Sequence, residues 1–249
     1  MKKLDLDKEI EEIILAYEKL VLGIERKALN DTSGRAYGGI IRAGKGRLVE
    51  SIAKHIVILA CEKLGLDPNM LEITKKSVKI PIKKDYIDRI KNEKVKEYIK
   101  QHIKEYYYPL TVDWMVFVAD VPIMAIECKA YTENAMLKRI LVDFTLLKGI
   151  YPNISFVLFQ LESQLGGDYS ELKEVPLGSP STHTLLSYFD IDLNIITLLK
   201  GERKVDKPIH KKEFFKPLTK ESLNNAINKM AEIIKQHIPE IQKRTLIRW

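Results

Sequence analysis

The chain has 249 residues, 45% of them hydrophobic, which is enough to bury a full core as one domain spanning 1–249 or as a domain with a small appendage, the first being preferred. Lys and Arg number 41 against 34 Asp and Glu, and the resulting +7 suits an acidic polymer as partner without requiring one. The two cysteines, Cys61 and Cys128, stand in apolar runs with no paired spacing, so a disulfide framework and a zinc site are excluded; no apolar run reaches the roughly 20 residues of a membrane span, so no membrane partner is expected. With its charged start, MKKLDLDKEIEEI, the chain is expected to be soluble and cytoplasmic.

From Leu4 to about Lys27, apolar residues at Ile10, Ile13, Ile14, Tyr17, Leu20, Val21 and Ile24 predict a peripheral amphipathic helix. Asn30 to Arg47 changes character. Gly34, Gly38, Gly39, Gly44 and Gly46 alternate with Arg35, Tyr37, Arg42, Lys45 and Arg47. Two readings stand side by side: a flexible surface loop, or a phosphate-contacting arm in which glycines admit close backbone approach and the cations neutralise phosphates. It is not a P-loop, because no serine or threonine follows the glycine-lysine pair.

A second helix is predicted from about Arg47 to Leu64, with Leu48, Ile52, Ile56 and Leu59 in line. Glu50, in its first turn, is either a dipole-stabilising residue or a third acid reaching a site built further along. Gly65-Leu66-Asp67-Pro68 punctuates, and Leu71–Ile82 alternates as a strand does. Lys83–Tyr108 is charged and helical in pattern, with Ile87, Ile90, Val95, Tyr98, Ile99 and Ile103 as its apolar stripe and its lysines read as a solvated face.

Val112–Tyr131, VDWMVFVADVPIMAIECKAY, predicts a β-hairpin: two β-branched and aromatic runs flank Ala119-Asp120-Val121. If the chain turns about Asp120, paired positions sum to 240 and Asp113 falls opposite Glu127, on the same face and with Cβ atoms roughly 5 Å apart. Lys129 shares that face by the period of two. Two adjacent carboxylates repel unless a cation lies between them, and hard oxygen ligands at this spacing suit Mg²⁺, which leaves coordination positions for water and phosphate oxygens. The site therefore points to phosphodiester hydrolysis. Ile123–Ile126 precede Glu127 with almost no polar alternation, so the strand reads as buried on both faces with a functional charged end, rather than as an edge strand carrying a surface ion pair.

Glu133–Lys148 reads as a helix ending at Gly149, and Ile154–Leu161 as a buried central strand. Glu162–His183 is expected to be a long loop whose side chains, Ser179, Ser181 and His183 among them, are of the kind that read base edges. His183 also admits a general-base reading, although a lone histidine there is more often a contact or incidental. A short helix and a strand follow over Leu185–Leu199, then a basic connector, then a final helix from about Thr219 to His237 that caps the core before Pro239.

The order helix, strand, strand, strand, helix, strand, with an acid opening the second strand and Glu-Cys-Lys ending the third, resembles the PD-(D/E)XK nuclease superfamily, and within it the type II restriction endonucleases. The resemblance covers roughly 47–161 and implies an α/β fold: a restriction-endonuclease-like αβββαβ core, a mixed central sheet flanked by helices, with extra N- and C-terminal helices. Asp113 matches the first acid, Glu127 the second, Lys129 the lysine and Glu50 the additional helical glutamate, while Pro109 lies four residues before Asp113 instead of beside it. The resemblance implies that Asp113, Glu127, the Cys128 backbone carbonyl and Glu50 hold Mg²⁺, with Mn²⁺ as a substitute, and that Lys129 orients water or offsets charge at the phosphate. It implies a homodimer cutting double-stranded DNA and leaving 5′-phosphate ends, since palindromic sites mirror two-fold symmetry. Thr132, Glu133, Lys138 and Arg139, expected to open the next helix, are candidate DNA contacts. A repair or junction-resolving nuclease and a non-catalytic nucleic-acid binder are the alternatives.

Overall fold

The computed structural model describes residues 5–30, 37–170 and 178–246. Helix α1 (Leu6–Leu29) begins where the Asp5 carboxylate accepts from the Lys8 N–H, and it buries Ile10, Ile13, Tyr17, Val21 and Ile24 along one stripe, as their spacing requires. Helix α2 (Tyr37–Lys63) is longer than the sequence predicts and absorbs Tyr37–Arg47. The loop or arm expected there is thus corrected to helix, while Arg35 lies outside the described residues. Gly44 supplies a physical reason, since a Cβ on it would come within 2.3 Å of Ile24 Cδ1. Glycine at 44 leaves room for the Ile24 side chain between α1 and α2, and tertiary packing outweighs the poor intrinsic helicity of the segment.

The predicted strand Leu71–Ile82 divides into β1 (Leu71–Thr74) and β2 (Val78–Pro81), which serve different sheets. The predicted helix Lys83–Tyr108 is also broken, into α3 (Lys84–Asp88), α4 (Glu93–Gln101), a 3-10 turn and β3 (Tyr107–Leu110). Asn92 starts α4 by accepting from the Val95 N–H, and Ile87 and Ile99 are buried while Val95, Tyr98 and Ile103 are exposed. Strand β3 pairs antiparallel with β2 in a separate two-stranded sheet.

The main sheet has the order β1-β4-β5-β6-β7, built with β4 (Trp114–Val118), β5 (Val121–Glu133), β6 (Ser155–Gln164) and β7 (Leu193–Thr197). It is mixed, with β1, β4 and β5 antiparallel in turn and β5, β6 and β7 parallel. Helix α5 (Asn134–Lys148) forms the β5-to-β6 crossover and contributes Leu137, Ile140, Leu141, Phe144 and Leu147 to one core layer. α1, α2 and α7 (Lys220–Lys235) contribute to the other layer, with Val157, Phe159 and Leu161 of β6. The fold is therefore α/β, a mixed central sheet flanked by helices.

The expected long loop Glu162–His183 is shorter than predicted, because β6 runs on to Gln164 in register with β5 and α6 (Pro180–Ser187) takes in Ser181 and His183. The final predicted helix matches α7, capped by Thr219, and a further helix, α8 (Ile238–Leu246), begins beyond it with Pro239 in its first turn, where a missing N–H costs nothing. No helix among the described residues is long and apolar enough to cross a membrane.

Candidate active site

The hairpin turns at Ala119 and Asp120, whose φ values of 50° and 62° are those of a two-residue type I′ turn. Such a turn makes pairs sum to 239, as Val118 with Val121 does, but Ile123 bulges out of β5 and the sum returns to 240 at Val116–Met124, Met115–Ala125 and Trp114–Ile126. Asp113, just before β4, thereby reaches the chain at Glu127–Cys128. Its Oδ2 accepts from the Cys128 N–H at 2.7 Å.

Lys129 Nζ lies 2.5 Å from Glu127 Oε2, 3.5 Å from Asp113 Oδ2 and 3.2 Å from the Cys128 carbonyl oxygen. The three functional groups predicted from the hairpin are brought together. Burial pushes the Glu127 carboxyl above its ordinary value, Lys129 opposes that shift and Asp113 adds to it. Burial works to depress the Lys129 ammonium, but Glu127 and Asp113 outweigh it and hold the proton on. Burial, with the same two carboxylates, drives the Cys128 thiol well above its ordinary value, so this residue offers an oxygen and not a thiolate sulfur.

Asp113, Glu127 and the Cys128 carbonyl form a set of hard oxygens whose repulsion Lys129 now offsets, and that set fits a hard divalent cation. Among the described residues, no three His, Cys, Asp or Glu side chains are grouped to hold a metal ion. Glu50 is directed instead to Lys75, with Oε2 and Nζ 2.5 Å apart, although its charge is felt at Cys128. Its backbone carbonyl accepts from Trp114 Nε1 at 3.0 Å, which ties α2 to the start of β4 one residue from Asp113.

The expected DNA contacts are scattered more widely. Thr132 is corrected: it lies in β5 and is fully buried, because the strand continues past the point where a helix is expected to start. Glu133 closes that strand, and Lys138 and Arg139 are exposed on α5, Arg139 lying 3.9 Å from Asp143. Tyr37, Arg42 and Arg47 are exposed on α2, where the Tyr37 hydroxyl donates to Glu25 Oε1 at 3.2 Å, while Lys45 is partly buried 3.3 Å from His210 Nδ1. Ser179 caps α6 by accepting from the Thr182 N–H, and Ser181 Oγ accepts from Asn134 Nδ2 at 3.0 Å, so both have structural duties. His183 is an exposed helical residue.

Sequence reasoning misses Lys75, the buried acid Glu162 paired at 3.0 Å with Lys216, and Arg203, whose guanidinium stands 3.7 Å from the centroid of the Tyr131 ring. Glu162 has a signal available, since it continues an apolar run of strand length. Lys75 and Arg203 have none, being cations in basic segments. A cavity of about 390 Å³ opens at the turn end of the hairpin, lined by Met70, Glu72, Ala119, Asp120 and Arg244, and includes neither Asp113 nor Glu127.

This chain belongs to the type II restriction enzymes and is a sequence-specific restriction endonuclease, a hydrolase of a class that generally needs a divalent metal. The relative that establishes the family is the type II restriction enzyme DdeI of Desulfomicrobium norvegicum, 48% identical over 235 residues, which are 92% of this chain and 98% of DdeI. No protein-family model matches. A solved structure, the native BbvCI A2B2 tetramer at low resolution, aligns over 93% of this chain and 90% of its own at 13% identity and a TM-score of 0.35, too distant to inform the fold or the assembly.

Proposed function

We propose that this endonuclease hydrolyses double-stranded DNA with Mg²⁺, Mn²⁺ serving as a substitute, and leaves 5′-phosphate and 3′-hydroxyl ends. The observation that carries the proposal is the convergence of Asp113, Glu127 and Lys129, both carboxylates lying within 3.5 Å of the Lys129 ammonium. Asp113, Glu127 and the Cys128 carbonyl would hold the metal, with Glu50 as a fourth contributor once it leaves Lys75. When bound, the metal supplies Lewis-acid activation of water and charge stabilisation at phosphorus.

The remaining chemistry belongs to side chains of the chain itself. Lys129, kept protonated by its two acids, orients the attacking water or offsets charge on the scissile phosphate. The Cys128 N–H fixes the Asp113 carboxylate. We read α2, β1, β4, β5, α5 and β6 as the αβββαβ core of a restriction-endonuclease-like fold, with β2, α3, α4 and β3 inserted, within a single domain over 1–249. Two buried free cysteines support a reducing, cytoplasmic setting. A palindromic site would call for a homodimer.

Incubation with phage-sized DNA and Mg²⁺ tests the proposal. Discrete bands that vanish with EDTA and return with Mg²⁺ or Mn²⁺ are expected. Cleavage confined to branched or damaged DNA would give the repair reading instead, and no cleavage with any divalent metal would overturn both.

A further inference from the structure

Beyond Lys129, strand β5 continues to Tyr131, which the period of two sets on the same face, roughly 6–7 Å further along the chain. The Arg203 guanidinium covers its ring at 3.7 Å from the centroid, and an N–H of the same group donates to Gln164 Oε1. The segment that carries Arg203 is anchored over Gly201, Glu202 and Arg203. Its own N–H donates to the Ser163 carbonyl at 2.8 Å, the Gly201 N–H donates to Asp168 Oδ2 at 2.7 Å, and Glu202 Oε1 accepts from the Gly166 N–H at 3.0 Å. Lys216 adds a clamp, donating to the carbonyls of Gly201 and Glu202 at 3.2 and 3.3 Å while paired with Glu162.

This much anchoring holds a cation that lacks a counter-charge among the described residues. The side-chain partners of Arg203 are an aromatic face and a carboxamide, and no described carboxylate lies within ion-pairing distance of it. Lys45 stands near enough to feel both Arg203 and the buried acid Glu162, which itself is paired with Lys216. A half-buried guanidinium stacked on an aromatic ring, with no carboxylate paired to it among the described residues, is one that an anion can complete. Most of its N–H groups remain for that anion, and a stacked guanidinium presents its donor edge to phosphate oxygens. The separation from Lys129 along β5 is of the order of one nucleotide step on a DNA backbone.

We infer that Arg203, seated on Tyr131, is a phosphate-binding residue that holds the DNA strand next to the phosphodiester served by Lys129. The inference rests on the nuclease reading above. A purely structural clip between β6 and the segment after β7 would need neither a positive charge nor free donors.

The test compares wild type with R203A and R203Q. Affinity for a random-sequence DNA duplex is titrated in Ca²⁺ across a range of NaCl concentrations, single-turnover cleavage of phage-sized DNA is followed in Mg²⁺, and thermal unfolding is recorded for each protein. Both variants are expected to bind about tenfold more weakly at low salt, and the slope of log K against log salt should fall by about one. R203Q keeps a polar side chain while removing the charge, so it carries the test should the alanine variant fold poorly. R203K, which restores charge without stacking, should recover the slope but not the full affinity. If wild type binds and cuts while R203Q keeps the wild-type slope and affinity, the assignment of Arg203 is overturned and the nuclease reading stands. If wild type neither binds nor cuts DNA with any divalent metal, both fall.

Discussion

The Cys128 N–H donates to Asp113 Oδ2 at 2.7 Å, and the same oxygen lies 3.5 Å from Lys129 Nζ, so one carboxylate is oriented by both the backbone and the side chain of a single strand. Asp113→Ala and Lys129→Ala should each lower single-turnover cleavage by at least about 100-fold. DNA binding in Ca²⁺ should survive. Full activity in either variant would sink the site assignment.

Glu50 presents a sharper question because its pair with Lys75 is partly exposed, with side chains 24% and 47% accessible, and such pairs contribute only about 0–1 kcal/mol. Glu50→Gln should therefore leave the melting temperature nearly unchanged. Its Mg²⁺ requirement should rise by about tenfold or more if Glu50 reaches the metal. An unaltered Mg²⁺ titration would leave Glu50 as the partner of Lys75 in the middle of α2, where it is too far from the helix start to act on its dipole.

The glycines of α2 divide into two kinds. Gly46 has open space around its would-be Cβ, so Gly46→Ala should stabilise the protein by about 0.5–1 kcal/mol in denaturant titrations. A Cβ at Gly44 would meet Ile24 at 2.3 Å, and Gly44→Val should destabilise by displacing that side chain from between α1 and α2. Equal effects at both positions would count against close packing as the reason for Gly44.

His237 is buried, its Nε2 2.9 Å from Ser155 Oγ, and burial holds it below its ordinary 6.5 with Glu240 opposing. A histidine with a lowered folded value contributes stability that is complete above the unfolded value of 6.5 and is lost as pH falls through the folded one. The melting temperature should drop as pH goes below 6.5, and His237→Asn should flatten that drop. A variant with the wild-type slope would remove His237 from the acid response.

The hairpin is legible because a period of two and a turn signal are local, yet its register reaches 240 by way of a two-residue turn and a bulge at Ile123, not the simple turn about Asp120. The glycine-rich segment misleads, since glycine reads as freedom where Gly44 serves contact with a helix twenty residues earlier in the chain. Lys83–Tyr108 has helical periodicity throughout, but β3 is fixed by pairing with β2, a partner that no window of that segment contains. Thr132 departs from its expected helix because β5 is held as a strand up to Glu133 by its parallel neighbour β6.

Read alone, the sequence determined the candidate site: Asp113, Glu127 and Lys129 converging on one hairpin, a buried fourth strand, and helices at each end, all of which follow from alternation and spacing within about twenty residues. Tertiary structure alone decided what surrounds that chemistry, including Lys75 against Glu50, Trp114 against α2, Lys216 on Glu162 and Arg203 on Tyr131. The physical reason is that each of these contacts joins separate elements. Charged side chains carry no periodic signature of their distant partners, and only the order of the sheet and the closure of the loops bring them together.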